Sequence, residues 1–362
     1  MADIVYVMNV DWNWIKQRPH FIAEGLNETH DVHVTYQHRY GRAGFQNRKT
    51  TGIDISPIYV IPKGDRYTLG AKINRLIKCS SIKRLIKRTN AKCVYLTFPD
   101  QVDSIPSDYR GLVVYDCMDN HPAFIENAEK KQALVSMEQR LVRRADIVLA
   151  SSANLIEKLC ERYGEETGDK IALIRNGYNG NVANIDETVH MEKGQNHIFT
   201  YFGTVSSWFN FEYILKSLDE FPNLAYEIFG PITGVSIPNH ERLIYRGTVE
   251  HDELQKNVEN VECLIMPFVV NEIIDSVDPV KLYEYINFNK NILCCEYDEV
   301  ERFSPFVHFY SDYAGYRTAI QEILSRNNTV KYSSEERIHF LTENNWKSRV
   351  QAVNKLLSTR GV

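Results

Sequence analysis

At 362 residues, 43% hydrophobic and 25% charged, the chain has the composition of an ordinary soluble globular protein and the length of two domains rather than one. Its formal charge of −5 is unevenly spread, because residues 63–92 carry a net +9 and the remainder about −14. That distribution excludes a general nucleic-acid binder and leaves one localised basic face.

The N-terminal residues Ile4-Val5-Tyr6-Val7-Met8 read as a strand with no basic leader segment, and no run approaches the roughly 20 apolar residues of a spanning helix. A cytoplasmic location is therefore expected. From there, short apolar runs alternate with helical patterns, the signature of parallel sheets with crossover helices. Strands are predicted at 3–8, 31–36, 57–61, 93–98, 112–116, 146–150 and 170–174. Pro19 suits the first turn of a helix over 18–27, and Leu134, Met137, Leu141 and Ala145 form a helical stripe. A second series follows, with strands near 197–202, 224–229, 242–245, 261–266, 291–295 and 306–310 and helices near 210–219, 251–258, 278–288 and 312–325. Helices near 333–342 and 346–358 end the chain.

Two Rossmann-like units result, and Asn176-Gly177-Tyr178-Asn179-Gly180-Asn181 with the polar stretch to Gly194 marks the linker between them. The expected organisation is a first domain over 1–180, a second over 181–345 and a C-terminal helix over 346–362 that packs back on the first. The seven cysteines lie mostly inside apolar segments and read as reduced thiols. Cys294 and Cys295 would point to opposite faces of a strand, and no CxxC or histidine cluster accompanies them, so no metal site is expected.

Open parallel sheets bind ligands beyond the carboxyl ends of their strands, where loops and helix N-termini present N–H groups. After the first strand come Asn9, Asp11, Trp12 and Trp14, candidates for the acceptor side of a reaction. After the fifth comes Asp116-Cys117-Met118-Asp119-Asn120-His121. Asp119, and after it His121, could take the proton of an attacking hydroxyl, or Asp116 or Asp119 could simply cap the helical turn at Pro122. In the second unit Gly203-Thr204 ends a strand as a diphosphate loop would, although Gly-Thr after a strand is often only a turn. No GxGxxG and no GxxxxGK[ST] is present.

Asp278-Pro279-Val280-Lys281-Leu282-Tyr283-Glu284 is the sharpest feature. Pro279 opens a helix and puts Lys281 in its first turn, where a cation opposes the helix dipole unless an anion lies near. A bound diphosphate would be that anion, and Glu284, three residues on, could accept from ribose hydroxyls. The alternative is an exposed Lys–Glu pair.

Taken with Trp14, Arg18-Pro19-His20, Tyr115-Asp116, Asn176-Gly177, Tyr201-Phe202-Gly203, Phe229-Gly230-Pro231, Met266-Pro267-Phe268 and Asn345-Trp346-Lys347-Ser348-Arg349, these segments resemble bacterial GT-B glycosyltransferases of the group 1, GT4-like kind. The resemblance covers nearly the whole chain and is nearest to enzymes of teichuronic acid and capsular polysaccharide biosynthesis. It implies an α/β GT-B fold of two Rossmann-like domains facing across a cleft. It also implies metal-independent transfer, hexosyl transfer above all, from a nucleotide-diphosphate sugar to a saccharide or lipid-linked acceptor in cell-surface polysaccharide synthesis. UDP is expected ahead of GDP, with no further cofactor. By the same resemblance Lys281 and Leu282 meet the diphosphate, Glu284 the ribose, Gly203-Thr204 the phosphates, and Arg246, Gly247 and Thr248 pass the base. Asp119 stands where an inverting GT-B enzyme of the xanthan pathway has its base.

Two departures bear on mechanism. The first of the two GT4 glutamates falls on Ser276, and the Arg and Lys of retaining members are replaced in Ser206-Ser207-Trp208-Phe209-Asn210. Inversion with Asp119 as base is the expectation. Over 69–88, Leu69, Ile73, Leu76 and Ile77 on one side and Lys72, Arg75, Lys78 and Lys83 on the other suit an anionic membrane surface, or else a solvated basic face on a core helix. A non-hydrolysing sugar-nucleotide epimerase and a catalytically silent sugar-nucleotide-binding subunit are the rival readings.

Overall fold

The computed structural model describes residues 3–40, 52–182, 197–249, 254–326 and 329–362. The chain divides into two compact units, one formed by Met1–Asn176 with Trp346–Val362 and the other by Gly177–Asn345. The polar stretch read as a linker lies, over 183–194, outside the described residues, as do residues 251–253 of the helix expected near 251–258.

The first unit is built on seven parallel strands: β1 (Ile4–Met8), β2 (Val32–Gln37), β3 (Asp54–Ile58), β4 (Cys93–Leu96), β5 (Leu112–Cys117), β6 (Ile147–Ala150) and β7 (Ile171–Leu173). Their order is β3-β2-β1-β4-β5-β6-β7. All five residues of β1 are buried, which its unbroken Ile-Val-Tyr-Val-Met run requires of a strand covered on both faces. Helices α1 (Arg18–Leu26), α2 (Thr68–Thr89), α3 (Ala128–Arg144) and α4 (Ala153–Tyr163) make the crossovers. Side chains cap the last two, Asn127 accepting from the Lys130 N–H and Ser152 from that of Leu155.

β3 lies earlier than the 57–61 expected. Among the described residues it is the edge strand, paired with β2 from His33↔Asp54 to Gln37↔Ile58, and its half-exposed residues carry little apolar signal. Pro57 is tolerated there because an edge N–H needs no ladder partner.

The second unit is a six-stranded parallel sheet of β8 (His197–Phe202), β9 (Leu224–Phe229), β10 (Leu243–Gly247), β11 (Cys263–Met266), β12 (Asn291–Cys295) and β13 (His308–Tyr310), in the order β10-β9-β8-β11-β12-β13. Helices α5 (Phe211–Glu220), α6 (Leu254–Asn257), α7 (Val280–Asn287), α8 (Tyr313–Ser325) and α9 (Ser334–Glu343) accompany it. In each sheet the strand order reverses beside the first strand, at β1 and at β8, and such switch points open a crevice at the strand ends.

The last helix, α10 (Trp346–Ser358), belongs to the first unit. It buries Trp346, Val350, Val353 and Leu357, and Trp346 stacks on Phe21 of α1 with ring centroids 4.8 Å apart. Each of these side chains contributes about 1.5–3 kcal/mol of apolar burial as an upper figure.

α2 divides along its length. Its core-facing residues are Ile82, Leu85 and Ile86, in the C-terminal half. In the N-terminal half the apolar stripe turns outward, with Leu69 72%, Ile73 37% and Leu76 69% exposed, and only Ile77 packs inward.

Candidate active site

The second unit gathers its candidates around one close approach. β8 is followed directly by Gly203, whose φ of +141° only glycine adopts without strain. A Cβ there would sit 2.1 Å from Cε of Lys281. The missing side chain is therefore the passage through which Lys281 runs. Gly230, at the end of β9 with φ +130°, is packed as tightly, since a Cβ on it would lie 2.1 Å from the Gly203 carbonyl oxygen. The Gly230 N–H in turn donates to the carbonyl of Gly247 at the end of β10, 2.8 Å away.

Lys281 is the second residue of α7, after Pro279 as N-cap. Its Nζ lies 5.9 Å from the centroid of Tyr201 and, among the described residues, makes no ion pair. Burial holds its pKa below the ordinary lysine value, with the Glu284 carboxylate pulling the other way. Asp278, just before the helix, is already bound by Arg302. Tyr201 donates from its hydroxyl to the Thr204 carbonyl at 2.9 Å, and Val205 N–H donates to Pro231 O at 2.9 Å, which fixes the loop after β8. The N–H of Thr204 donates to no protein group among the described residues.

The other second-unit candidates separate. Glu284 is half-buried one turn beyond Lys281. Arg246 gives its guanidinium to Glu227, with contacts of 3.1 and 2.5 Å, so its side chain is committed to the sheet. Gly247 has φ +81°, and Thr248 follows it exposed. Leu282 does not belong with the ligand-facing residues: it is fully buried in the core and its N–H donates to Pro279 O.

In the first unit the loop after β5 sorts two carboxylates by their partners. Asp116 accepts from Arg18 Nε at 3.0 and 3.1 Å, lies 2.9 Å from Arg18 Nη2, and accepts from the Tyr95 hydroxyl at 2.9 Å. Its charge is spent inside the fold. The half-buried Asp119 carboxylate makes no hydrogen bond among the described residues, and neither it nor Asp116 caps the turn at His121–Phe124. Burial raises the Asp119 pKa to about 7; the Arg18 charge works against that rise and the Asp116 charge adds to it. His121 is buried with Nε2 unpartnered, against Phe98 at 4.7 Å, and burial lowers its pKa to about 4.

Beneath this loop lies a network that sequence reasoning missed. Glu138 of α3 is fully buried, accepts from the hydroxyls of Tyr115 at 2.7 Å and Tyr163 at 2.6 Å, and meets Arg162 Nη1 at 3.1 Å. Arg162 donates onward to Asn120 Oδ1 at 2.5 Å, between Asp119 and His121. The signal was a glutamate between Leu134 and Leu141 on the apolar face of α3.

The loop after β1 serves partly as framework. Asp11 is buried and accepts from the N–H groups of Asn13 at 2.9 Å and Arg39 at 2.7 Å. Trp12 is a core residue against His20, 5.3 Å between centroids, and offers no face to an acceptor. Trp14 is half-buried and Asn9 opens on a cavity.

Comparison with known proteins bears on the fold. No family model matches the chain. It is 22% identical over 267 residues to TuaH of Bacillus subtilis (strain 168), named as a teichuronic acid biosynthesis glycosyltransferase; the match covers 68% of this chain and 66% of that relative, just under two thirds of its length. Sucrose-phosphate synthase from Thermosynechococcus elongatus superposes with a TM-score of 0.71 at 12% identity, covering 98% of both chains. The fold is GT-B. Two further GT-B structures align at similar quality. The lipopolysaccharide outer core galactosyltransferase WaaB has a TM-score of 0.64 at 11% identity, covering 98% of this chain and 99% of its own. The E. coli trehalose-6-phosphate structure bound with UDP-2-fluoro glucose has a TM-score of 0.70 at 8% identity, covering 99% of both.

Proposed function

We propose that the chain is a glycosyltransferase of cell-surface polysaccharide synthesis that moves a hexosyl group from a UDP-sugar on its second unit to a saccharide or lipid-linked acceptor on its first. The observation that carries this reading is Lys281, half-buried at the start of α7 against Gly203 and making no ion pair among the described residues. A cation at that end of a helix is disfavoured unless an anion joins it. A leaving diphosphate is such an anion, and the N–H of Thr204 is placed to share it. The relative named for teichuronic acid biosynthesis and the neighbour holding a UDP-sugar analogue support the same choice.

In this reading the acceptor hydroxyl attacks the anomeric carbon, the bond from that carbon to the diphosphate breaks, and Asp119 takes the hydroxyl proton. A carboxylate with a pKa of about 7 suits a base near neutral pH. His121, with a pKa of about 4, is neutral there and is better suited to orienting than to accepting a proton. Attack opposite the leaving group inverts the anomeric centre, and Lys281 with the α7 N-terminus takes the charge-neutralising role, so no divalent ion is needed.

Incubation with UDP-, GDP-, dTDP- and CMP-sugars and a set of acceptors tests the reading. Acceptor-dependent transfer unchanged by EDTA supports it, epimerisation without acceptor makes the chain an epimerase, and binding without turnover makes it a sensor. We further propose that α2 rests on an anionic membrane surface through Leu69, Ile73 and Leu76, with Tyr67 71% exposed beside them and Lys63, Arg66, Lys72 and Lys83 around them. No described helix is long and apolar enough to cross a membrane. Leu69→Asp with Leu76→Asp should then abolish binding to vesicles containing phosphatidylglycerol.

A further inference from the structure

A cavity of about 240 Å³ opens in the first unit where the ends of β1, β2, β3 and β4 meet α2. Its lining is rich in hydrogen-bond donors. Arg75 and Lys78, one turn apart on the same face of α2, and Arg39 after β2 bring three cations. Arg39 is exposed and makes no ion pair among the described residues. Arg75 faces Asp103, but that carboxylate is shared with Arg140 at 2.7 Å, so two cations answer one anion. Lys78 is paired with Asp100 at 3.1 Å, the one carboxylate in the lining.

Two amides add to the donors. Gln101 Oε1 accepts from the N–H groups of Thr97 at 2.8 Å and Phe98 at 3.1 Å, while the one proton of the Thr97 hydroxyl has Val7 O at 3.0 Å ahead of Asn9 Oδ1 at 3.3 Å. With its oxygen committed to the protein, Gln101 is left with its NH₂ as the available end, and the Asn9 amide, which also lines the cavity, has an NH₂ of its own to present. A wall of cations and amide donors matches a ligand made of acceptors alone. Phe98, which also lines the cavity, packs on the His121 ring, so the cavity borders the loop that carries Asp119.

We propose that this cavity is an oxyanion subsite that holds a phosphate group of the acceptor through Arg39, Arg75, Lys78, Asn9 and Gln101. The proposal rests on the glycosyltransferase reading for the word acceptor, but not for the binding of phosphate. The phosphate belongs either to a soluble sugar phosphate or to a lipid headgroup.

Cys79 lines the same cavity and reports on it. The full chain is saturated with UDP, so that the donor site is filled, and Cys79 alkylation by iodoacetamide is followed by peptide mass spectrometry with increasing inorganic pyrophosphate. Pyrophosphate should slow alkylation, and Arg75→Ala or Lys78→Ala should raise the protecting concentration about tenfold or more, the loss of one charge-assisted hydrogen bond. Lys78→Arg should restore protection, and Lys87→Ala, which faces Asp108 outside the lining, should not alter it. Protection by glucose 6-phosphate assigns the soluble source, and protection only by vesicles containing phosphatidylglycerol the lipid one. If the alanine variants do not fold, the wild type still decides, because an anionic thiol reagent should modify Cys79 faster than a cationic one of equal size. Absence of protection up to roughly 10 mM pyrophosphate while UDP binds overturns the subsite and leaves the glycosyltransferase standing. Failure to bind UDP, with protection intact, does the reverse.

Discussion

The ground around Asp116 in the first unit and the ground around Lys281 in the second solve the same problem in opposite ways. Both place a charge at the carboxyl end of a parallel sheet, Asp116 fully buried and Lys281 half-buried. Asp116 is matched by Arg18 and Tyr95, whereas Lys281 has a tyrosine ring, a glycine passage and no ion pair among the described residues. A buried charge with a full set of partners is architecture, because its desolvation cost is offset within the fold. One without partners is stable only in so far as something else supplies them. Asp119, three residues from Asp116, falls on the second side of that division.

The sharpest way to break the comparison is at Asp119. Asp119→Asn should lower turnover by about two to four orders of magnitude with donor affinity nearly unchanged, as removal of a general base does. In the unaltered enzyme, kcat/KM should rise with pH through about 7 as the carboxyl ionises. Stability should move the other way. With the native pKa raised to about 7 from 3.8, the folded protein keeps a proton that the unfolded chain has released, so stability falls as pH climbs between those values. Urea titrations across that range should lose this component in the Asn variant. A flat rate profile would take Asp119 out of the mechanism.

Next in size is Arg18→Ala, which strands the Asp116 carboxylate and should cost about 3–5 kcal/mol by denaturant titration. Should the variant lose less than 1 kcal/mol, Asp116 is not the framework charge its contacts make it. Lys281→Ala tests the opposite case. It should weaken UDP binding by about 1.5–3 kcal/mol, the worth of a hydrogen bond to a charged group, while leaving denaturant stability unchanged or slightly higher. A clear loss of stability with normal UDP affinity would make Lys281 a structural residue.

Much of the fold was legible in the chain. β1, β5 and β8 are apolar runs flanked by turn residues, and their burial on both faces is what such runs require. The place of Lys281 in the first turn of a helix was legible because Pro279 announces the helix start. Other features were not. Trp12 and Leu282 stand in candidate segments yet point into the core, and nothing local to either residue says which way it faces. Which way Leu69 and Leu76 face was left open for a related reason, since one helix buries its C-terminal half and exposes apolar residues in the other.

By itself the sequence determined the alternation of strand and helix, the two parallel sheets and the segments that carry polar groups at strand ends, because periodicity and turn chemistry are local properties. Which of those polar groups are used up and which are left for a ligand was decided only by the tertiary structure. Arg18 reaches Asp116 across 98 positions, and Arg162 reaches Asn120 across 42. Pairings over such separations depend on how the strands are ordered in the sheet, and no short stretch of residues encodes that order.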